Sequence, residues 1–437
     1  MASTYLSRTP SSTGNDKIAT FSAWVKRGSS LGSQNNIFTS FPANERTQLF
    51  FTPDATLKLQ AYVSGSATTN LETTMKLRDV NGWYHIVVAM DSTQATNTNR
   101  VKIYVNGVQQ TISGTYLNQN TTLSFNTSGR PFYIGTYDTS QLFFDGEMAH
   151  VHWIDGTAYQ ASTFGETDST TGIWKPKTSP TVTYGTNGFF LKFENSGAMG
   201  TDSAGSNNFA VNGTMTQLKD TPSNVFATIN PLDNGWFSGT FSNGNNTVVS
   251  NASKENYWTS TLGASSGKYY WEVKLSSSGS GRDYVGIADK ISTTNAFSAY
   301  SGNSKMRSYY GYTGVSVIGS TGSAFGNTFG TGDIIGVAMD LDNHKLYFSK
   351  NGVFQNSQNP ATGTNGLAID TSPESGFYYA QAGNIHNTST TFQVNFGNGY
   401  FGTTAVSSAG ANASGNGIFE YDVPTGYTAL STKGLNL

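Results

Sequence analysis

Cysteine is absent from the 437-residue chain. That excludes disulfides, thiolate zinc sites and cysteine nucleophiles, and leaves the compartment open. Charge is scarce: Asp, Glu, Lys and Arg make up 12% of residues, about half the ~25% usual for globular proteins. Hydroxyls and amides must therefore keep the surface wet. The net charge is −2 and no basic stripe occurs, which argues against a nucleic-acid partner. No apolar run approaches the ~18 residues of a membrane span, so membrane insertion is not expected. Residues Met1 to Arg8 lack the charged stretch and apolar run of a secretory leader. No long segment carries a 3.6-residue apolar period.

Aromatic residues, in contrast, reach 13%, with 27 Phe, 23 Tyr and 49 Gly. Aromatic and β-branched residues favour strands, and Gly, Asn and Ser favour turns. Strand patterns run throughout: Phe21 to Val25, Gln48 to Phe51, Leu57 to Val63, Val101 to Val105, Trp271 to Leu275 and Phe392 to Phe396. Trp83 to Met90 is nearly continuous and reads as a strand buried on both faces. Val88-Ala-Met-Asp91 followed by Lys102 to Val108 is echoed by Val337-Ala-Met-Asp340 followed by Lys345 to Val353. Each copy ends in Asn-Gly (Asn106-Gly107 and Asn351-Gly352), the pair that favours a type I′ hairpin turn. The reading is all-β, two antiparallel β-sandwich (jelly-roll) domains in tandem. Residues 1–195 form the first, 226–437 the second with a C-terminal closing strand, and the Asn/Ser/Gly-rich 196–225 the connector.

Phe21 to Arg27, Gly82 to Val88, Val101 to Gly107, Tyr133-Ile-Gly135 and Phe144 to Glu147 resemble a laminin-G-like, concanavalin A-like domain. Gly267 to Val273, Val285 to Ala288, Gly332 to Asp340 and Leu346 to Gly352 resemble a SPRY domain. A narrower resemblance lies in Tyr184 to Phe193, Asp202 to Gly205, Asp220-Thr-Pro222, Asn230 to Asp233 and Phe419 to Tyr427. These segments are similar to connector and closing segments of virion structural proteins from tailed bacteriophages. That implies a virion component, assembled in the host cytoplasm without a leader. Its partners would be other virion proteins and a host cell-surface glycan or protein, and it would act as a homo-oligomer.

The chemical motifs point away from catalysis. The concanavalin A-like fold also hosts glycosidases, which need two carboxylates on one strand. Glu166-Thr-Asp168 and Glu420-Tyr-Asp422 are followed by Thr171 and Thr425 where the further Glu belongs. His150-Val-His152 has zinc-like spacing but no evident third ligand. A structural calcium ion is the one cofactor left open, with rim donors Asp138, Asp145 and Asp155, each equally at home in a turn. Trp236, Trp258, Tyr309, Tyr310 and Tyr312 sit among Gly and Ser and are the candidates for stacking on a sugar or anchoring a protein. Core packing is the alternative for each. The expected function is adhesion by a phage fibre, spike or capsid decoration protein. The alternatives are a purely architectural virion component and, remotely, a carbohydrate-active enzyme.

Overall fold

The computed structural model describes residues 4–28, 31–42, 44–169, 172–233, 239–252, 256–289, 305–319, 321–385 and 388–436. The chain folds as two compact units, residues 1–217 and 218–437. Among the described residues regular structure is strand, with four short 3-10 turns and no α-helix.

Unit 1 is a sandwich of an eight-stranded and a six-stranded sheet. The eight-stranded sheet runs in the order Ile112–Thr115, Ser66–Thr73, Leu57–Val63, Thr47–Phe51, Asn35–Ser40, Phe132–Ile134, Tyr5–Arg8, Ala210–Asn212. The six-stranded sheet is Phe189–Leu191, Gly146–Asp155, Ile18–Arg27, Tyr84–Asp91, Val101–Val105, Val108–Gln109. The core lies between them, built from alternate residues such as Phe21, Ala23 and Val25 facing Phe38, Leu49 and Leu59. Trp153 sits at its centre against Phe38, Phe125 and Phe132.

The boundary between the units, 217/218, falls inside the 196–225 connector, and the part before it is packed on unit 1. Asp202 accepts the backbone N–H groups of Phe190, Ala204 and Asn207. Phe209 packs into the core, 4.6 Å from Phe189, and Ala210–Asn212 pairs with Tyr5–Ser7. The polar composition suggested a linker, yet Asn and Asp here close tight turns with their side chains, a use that composition cannot distinguish from a coil.

Unit 2 repeats the plan. A nine-stranded sheet is centred on Lys268–Ser278 and Ile334–Asp340, and a six-stranded sheet on Tyr378–Asn384 and Asp283–Ala288. Among the described residues all strand pairs are antiparallel except Tyr269–Tyr270 with Thr428–Ala429.

In both units the outer face of one sheet is apolar and is covered by irregular chain rather than by water. Tyr84–Asp91 turns Ile86, Val88 and Met90 to the core and Val87 and Ala89 to a second cluster with Tyr104, Ile154 and Phe164. The expected two-sided burial is therefore present, and residues 157–169 and 172–184 supply the cover. In unit 2 the segment from Phe396 to Leu430 lays Phe419, Val423 and Tyr427 over Tyr270, Ala338 and Tyr347.

The echoed Asn-Gly turns meet these covers. Asn106 and Asn351 have φ of 47° and 50°, and Gly107 and Gly352 of 83° and 81°, as a type I′ turn demands. A methyl at Gly107 would lie 2.8 Å from the Trp174 ring, and one at Gly352 2.6 Å from the Tyr421 ring. Glycine is needed twice over, for the left-handed backbone and for the ring above it.

The unit 2 cover is also held by Glu272, fully buried on the central strand. One carboxylate oxygen accepts from Tyr270 Oη and Tyr421 N, the other from Asn395 Nδ2 and Glu420 N. Desolvation outweighs these four donors and pushes the carboxyl up to about 7 from its ordinary 4.5. A raised folded-state value means that the folded state holds a proton the unfolded state has released. The stability from this group is full below about pH 4.5 and is lost as pH rises through 7. Amide protection at Glu420 and Tyr421, corrected for intrinsic exchange, should therefore rise as pH falls from 8 to 5, and Glu272→Gln should abolish the slope. Gly107→Ala and Gly352→Ala should each cost about 2–4 kcal/mol in urea unfolding, summing strain at positive φ and overpacking.

Candidate binding face

In unit 1 the strands Thr47–Phe51 and Leu57–Val63 alternate strictly. Leu49, Phe51, Leu57 and Leu59 enter the core, so Gln48, Phe50, Lys58, Gln60 and Tyr62 occupy the opposite face. The register then aligns a row across five strands. Tyr133 pairs with Thr39, Thr39 with Gln48, Gln48 with Gln60, and Gln60 with Asn70. At the usual strand spacing of ~4.8 Å this row is ~19 Å long. Beside it Phe41, Arg46 and Tyr62 form a second row. The Arg46 guanidinium lies 3.6 Å from the centre of the Tyr62 ring.

The loop 136–144 lies over one end of the row. Thr136 Oγ1 donates to the carbonyls of Asp138 and Gln141 at 2.6 and 2.9 Å. Tyr137 packs 5.9 Å from Phe41 and 5.5 Å from the Arg46 guanidinium. Phe143 packs 6.1 Å from Tyr5, and Asn36 Nδ2 donates to Leu142 O at 3.4 Å. Thr39 and Gln48 are buried to 0% and 1% exposure. Gln48 Nε2 donates to Gln60 Oε1 at 2.7 Å, while Gln48 Oε1, Thr39 Oγ1 and Asn70 Oδ1 have no hydrogen-bond partner. Gln60, Asn70, Arg46, Tyr62 and Tyr137 are half-buried and reachable.

Charge at this face is self-compensating. Lys58 pairs with Glu72 at 3.5 Å and Arg130 with Glu45 at 3.6 Å. Aromatic and guanidinium planes beside amide donors and acceptors suit a neutral, hydroxyl-rich ligand, which can stack its C–H faces and hydrogen-bond its rim. The sequence carries the signal, in polar residues at every second position of apolar strands. Aligning it needs the register, which two bulges, at 36/38 and 61/62, conceal.

The residues singled out from sequence fall elsewhere. Trp258 is buried on Asn256–Ala264 against Phe392 and Phe241. Tyr309 is buried on Arg307–Tyr310 among Phe325, Phe329 and Phe348. Tyr310 belongs to a small buried cluster with Tyr257 and Tyr284. These three are therefore core residues, not exposed loop rings: short strands flanked by Gly and Ser resemble loops in composition. Tyr312 is 54% exposed, with the Arg282 guanidinium 5.0 Å from its ring. Trp236 lies outside the described residues.

The rim aspartates are turn and loop locks. Asp138 accepts from Ser140 N and Gln141 N at 2.7 and 3.0 Å. The Asp145 backbone exchanges hydrogen bonds with Gly28 and the Asn35 side chain. Asp155 accepts from Asn15 N, Asn126 Nδ2 and Asn187 N at 2.7, 2.9 and 2.9 Å. Burial raises its carboxyl despite these bonds. Among the described residues no group of three or more His, Asp or Glu is arranged to hold a metal. His150 and His152 do not face solvent as a pair. A bulge at Ala149/His152 gives His150 a φ of 48°, and His152 is buried, its ring 3.9 Å from Phe190.

The chain is a tandem of two β-sandwiches, the first with a ring-and-amide face. Residues 2–162 match the family model of the concanavalin A-like lectin/glucanases superfamily, and residues 268–365 match that of the SPRY domain. The chain thus carries a concanavalin A-like domain followed by a SPRY domain. Similar proteins include Ran-binding protein 9 of Danio rerio and of Homo sapiens, both 38% identical over 96 residues, 22% of this chain and 16% and 13% of theirs. The match thus spans about a sixth or less of those relatives. Among solved structures, the SPRY domain of human HERC1 is similar over 38% of this chain and 96% of that one, at 18% identity and TM-score 0.32. The native heptameric SAP-like pentraxin from Limulus polyphemus is similar over 48% and 89%, at 14% identity and TM-score 0.30.

Asp155→Ala should strand three donors and lower unit 1 stability by about 3 kcal/mol or more, whereas EDTA should leave its thermal midpoint in place; calorimetry checks both.

Proposed function

We propose that the chain is a non-catalytic binding protein of a bacteriophage virion, a component of a fibre, spike or capsid decoration. Its first domain would hold a host-surface glycan on the outer face of the eight-stranded sheet. The observation that carries the glycan assignment is the half-buried pair Gln60 and Asn70 beside the Arg46, Tyr62 and Tyr137 planes. The virion assignment rests on the sequence resemblance of the 184–233 and 419–427 segments to phage structural proteins.

The carboxylates near the face support binding rather than hydrolysis. Glu72 is engaged by Lys58 and Thr56, and Glu45 by Arg130 and Ser64. For the second domain a protein contact is the better reading. Relatives similar to 22% of this chain are named for binding Ran, and that supports contact with neighbouring virion proteins. If both domains made only such contacts the role would be architectural. No helix among the described residues is long and apolar enough to cross a membrane.

The test is adsorption of the purified protein to host cells and to arrayed surface glycans. Tyr62→Ala and Gln60→Ala should each weaken glycan binding about tenfold, the equivalent of ~1.4 kcal/mol, with circular dichroism unchanged. Adsorption to no cell and no glycan would leave the architectural role.

A further inference from the structure

On the side of unit 1 away from the binding face, residues 157–169 and 172–184 cover the six-stranded sheet. The covered face is apolar at Val87, Ala89, Tyr104 and Ile154, and the cover contributes Ala161, Phe164, Tyr159, Val182 and Trp174. In the middle of this face stands His85, wholly buried on Tyr84–Asp91. Both of its ring nitrogens are engaged. Trp174 Nε1 lies 3.0 Å from His85 Nδ1, and Ser22 Oγ lies 3.0 Å from His85 Nε2. An indole nitrogen can only donate. Nδ1 is therefore the bare, accepting nitrogen, the ring proton sits on Nε2, and Nε2 donates to Ser22 Oγ.

The same bond anchors the cover. Trp174 lies on the short hairpin Gly165–Thr167 with Trp174–Pro176. Its ring packs on Gly165 and on the Gly107 turn, where an added methyl would clash with it. We infer that His85 and Trp174 form an acid-released latch that holds residues 157–169 and 172–184 over the sheet.

Protonation at Nδ1 would turn the acceptor into a donor aimed at the indole N–H. It would also leave an imidazolium among Trp24, Trp174 and Ser22. The Trp24 ring, stacked at 4.8 Å, offers a cation–π contact, but that is weaker than the cost of burying an unpaired charge. The surrounding titratable groups do not offset this cost. Tyr104 faces it from Val101–Val105 and Lys26 lies two residues beyond Trp24 on the same face. From Gly146–Asp155, His150 disfavours a charge on His85, and His85 and His150 disfavour one on His152. His152 lies 2.9 Å from Tyr184 Oη of the cover. Lys192 opposes protonation of both His150 and His152, and Glu194 favours that of His150. On the hairpin, Lys175 is paired with Asp168 and Glu166.

Burial, with His150, holds His85 down to about 3 from the ordinary 6.5. A lowered histidine stabilises the closed form fully above pH 6.5 and loses that stabilisation as pH falls toward 3. From these two values His85 alone should raise the opening constant of the cover about thirtyfold between pH 7.5 and pH 5. His152, also held well below 6.5, acts in the same direction.

The test is hydrogen exchange on the full chain at pH 7.5 and 5, corrected for intrinsic rates. Peptides from 157–184 should show the thirtyfold rise while Ile86 and Val88 in the strand beneath stay protected. In His85→Gln, whose amide oxygen can still accept from Trp174, the rise should shrink to a few-fold. Trp174→Phe, which keeps a ring but lacks the donor, should open the cover at pH 7.5 and flatten its acid response. An unchanged cover at pH 5, simultaneous loss of protection at Ile86, or a full acid response in either variant would each overturn the latch.

Discussion

Each unit is governed by one constraint, a sheet that is apolar on both faces. Burying one face against the partner sheet leaves the second exposed, and strands such as Tyr84–Asp91 and Ile334–Asp340 carry too much apolar surface on both sides to leave one in water. In many proteins a helix fills that role. Here irregular chain does it, and the molecule's low charge, its aromatic richness and its positive-φ turns all serve that arrangement. A coil laid over a sheet brings unpaired backbone groups to a dry surface. Hence the buried amides, hydroxyls and single ionisable groups beneath each cover.

His85 and Glu272 show two chemical solutions to that need. In unit 1 a neutral imidazole accepts from an indole. In unit 2 a carboxyl gathers two consecutive backbone N–H groups at Glu420 and Tyr421. Both sit on central strands, both fix the residue whose ring roofs an Asn-Gly turn, and burial disfavours the charged form of each. Their acid–base types are opposite, so the two covers respond to pH with opposite sign.

Much of the fold was legible in the sequence because it depended on local pattern. The repeated Val-Ala-Met-Asp and Asn-Gly segments marked equivalent hairpins in the two units, and the continuous run from Trp83 to Met90 announced burial on two sides. What failed was inference from composition alone. Gly and Ser around Tyr309 and Trp258 suggested open loops, whereas those strands lie deep in the sandwich. Asn and Asp in 196–225 suggested a connector, and the unit boundary does fall there, but Asp202 and Asn207 tie its first part to unit 1. The candidate face escaped because Thr39, Gln48, Gln60 and Asn70 are far apart in sequence and meet only through register. A bulge shifts which residues share a face, and no period in the sequence reveals where it falls.

The parallel pairing of Thr428–Ala429 with Tyr269–Tyr270 has a consequence for synthesis. Phe226 bridges Ser431, and Ala227 N donates to Leu430 O, so the opening segment of unit 2 is also clasped by its last stretch. Some 160 residues separate the central strand from the segment that covers it. On a translating ribosome unit 1 can close once residues 210–212 emerge, but unit 2 must wait with an apolar sheet face bare until residues near 430 are free. That interval is when unit 2 is most exposed to mispairing with another nascent copy, and a scarcity of charge gives it little electrostatic protection.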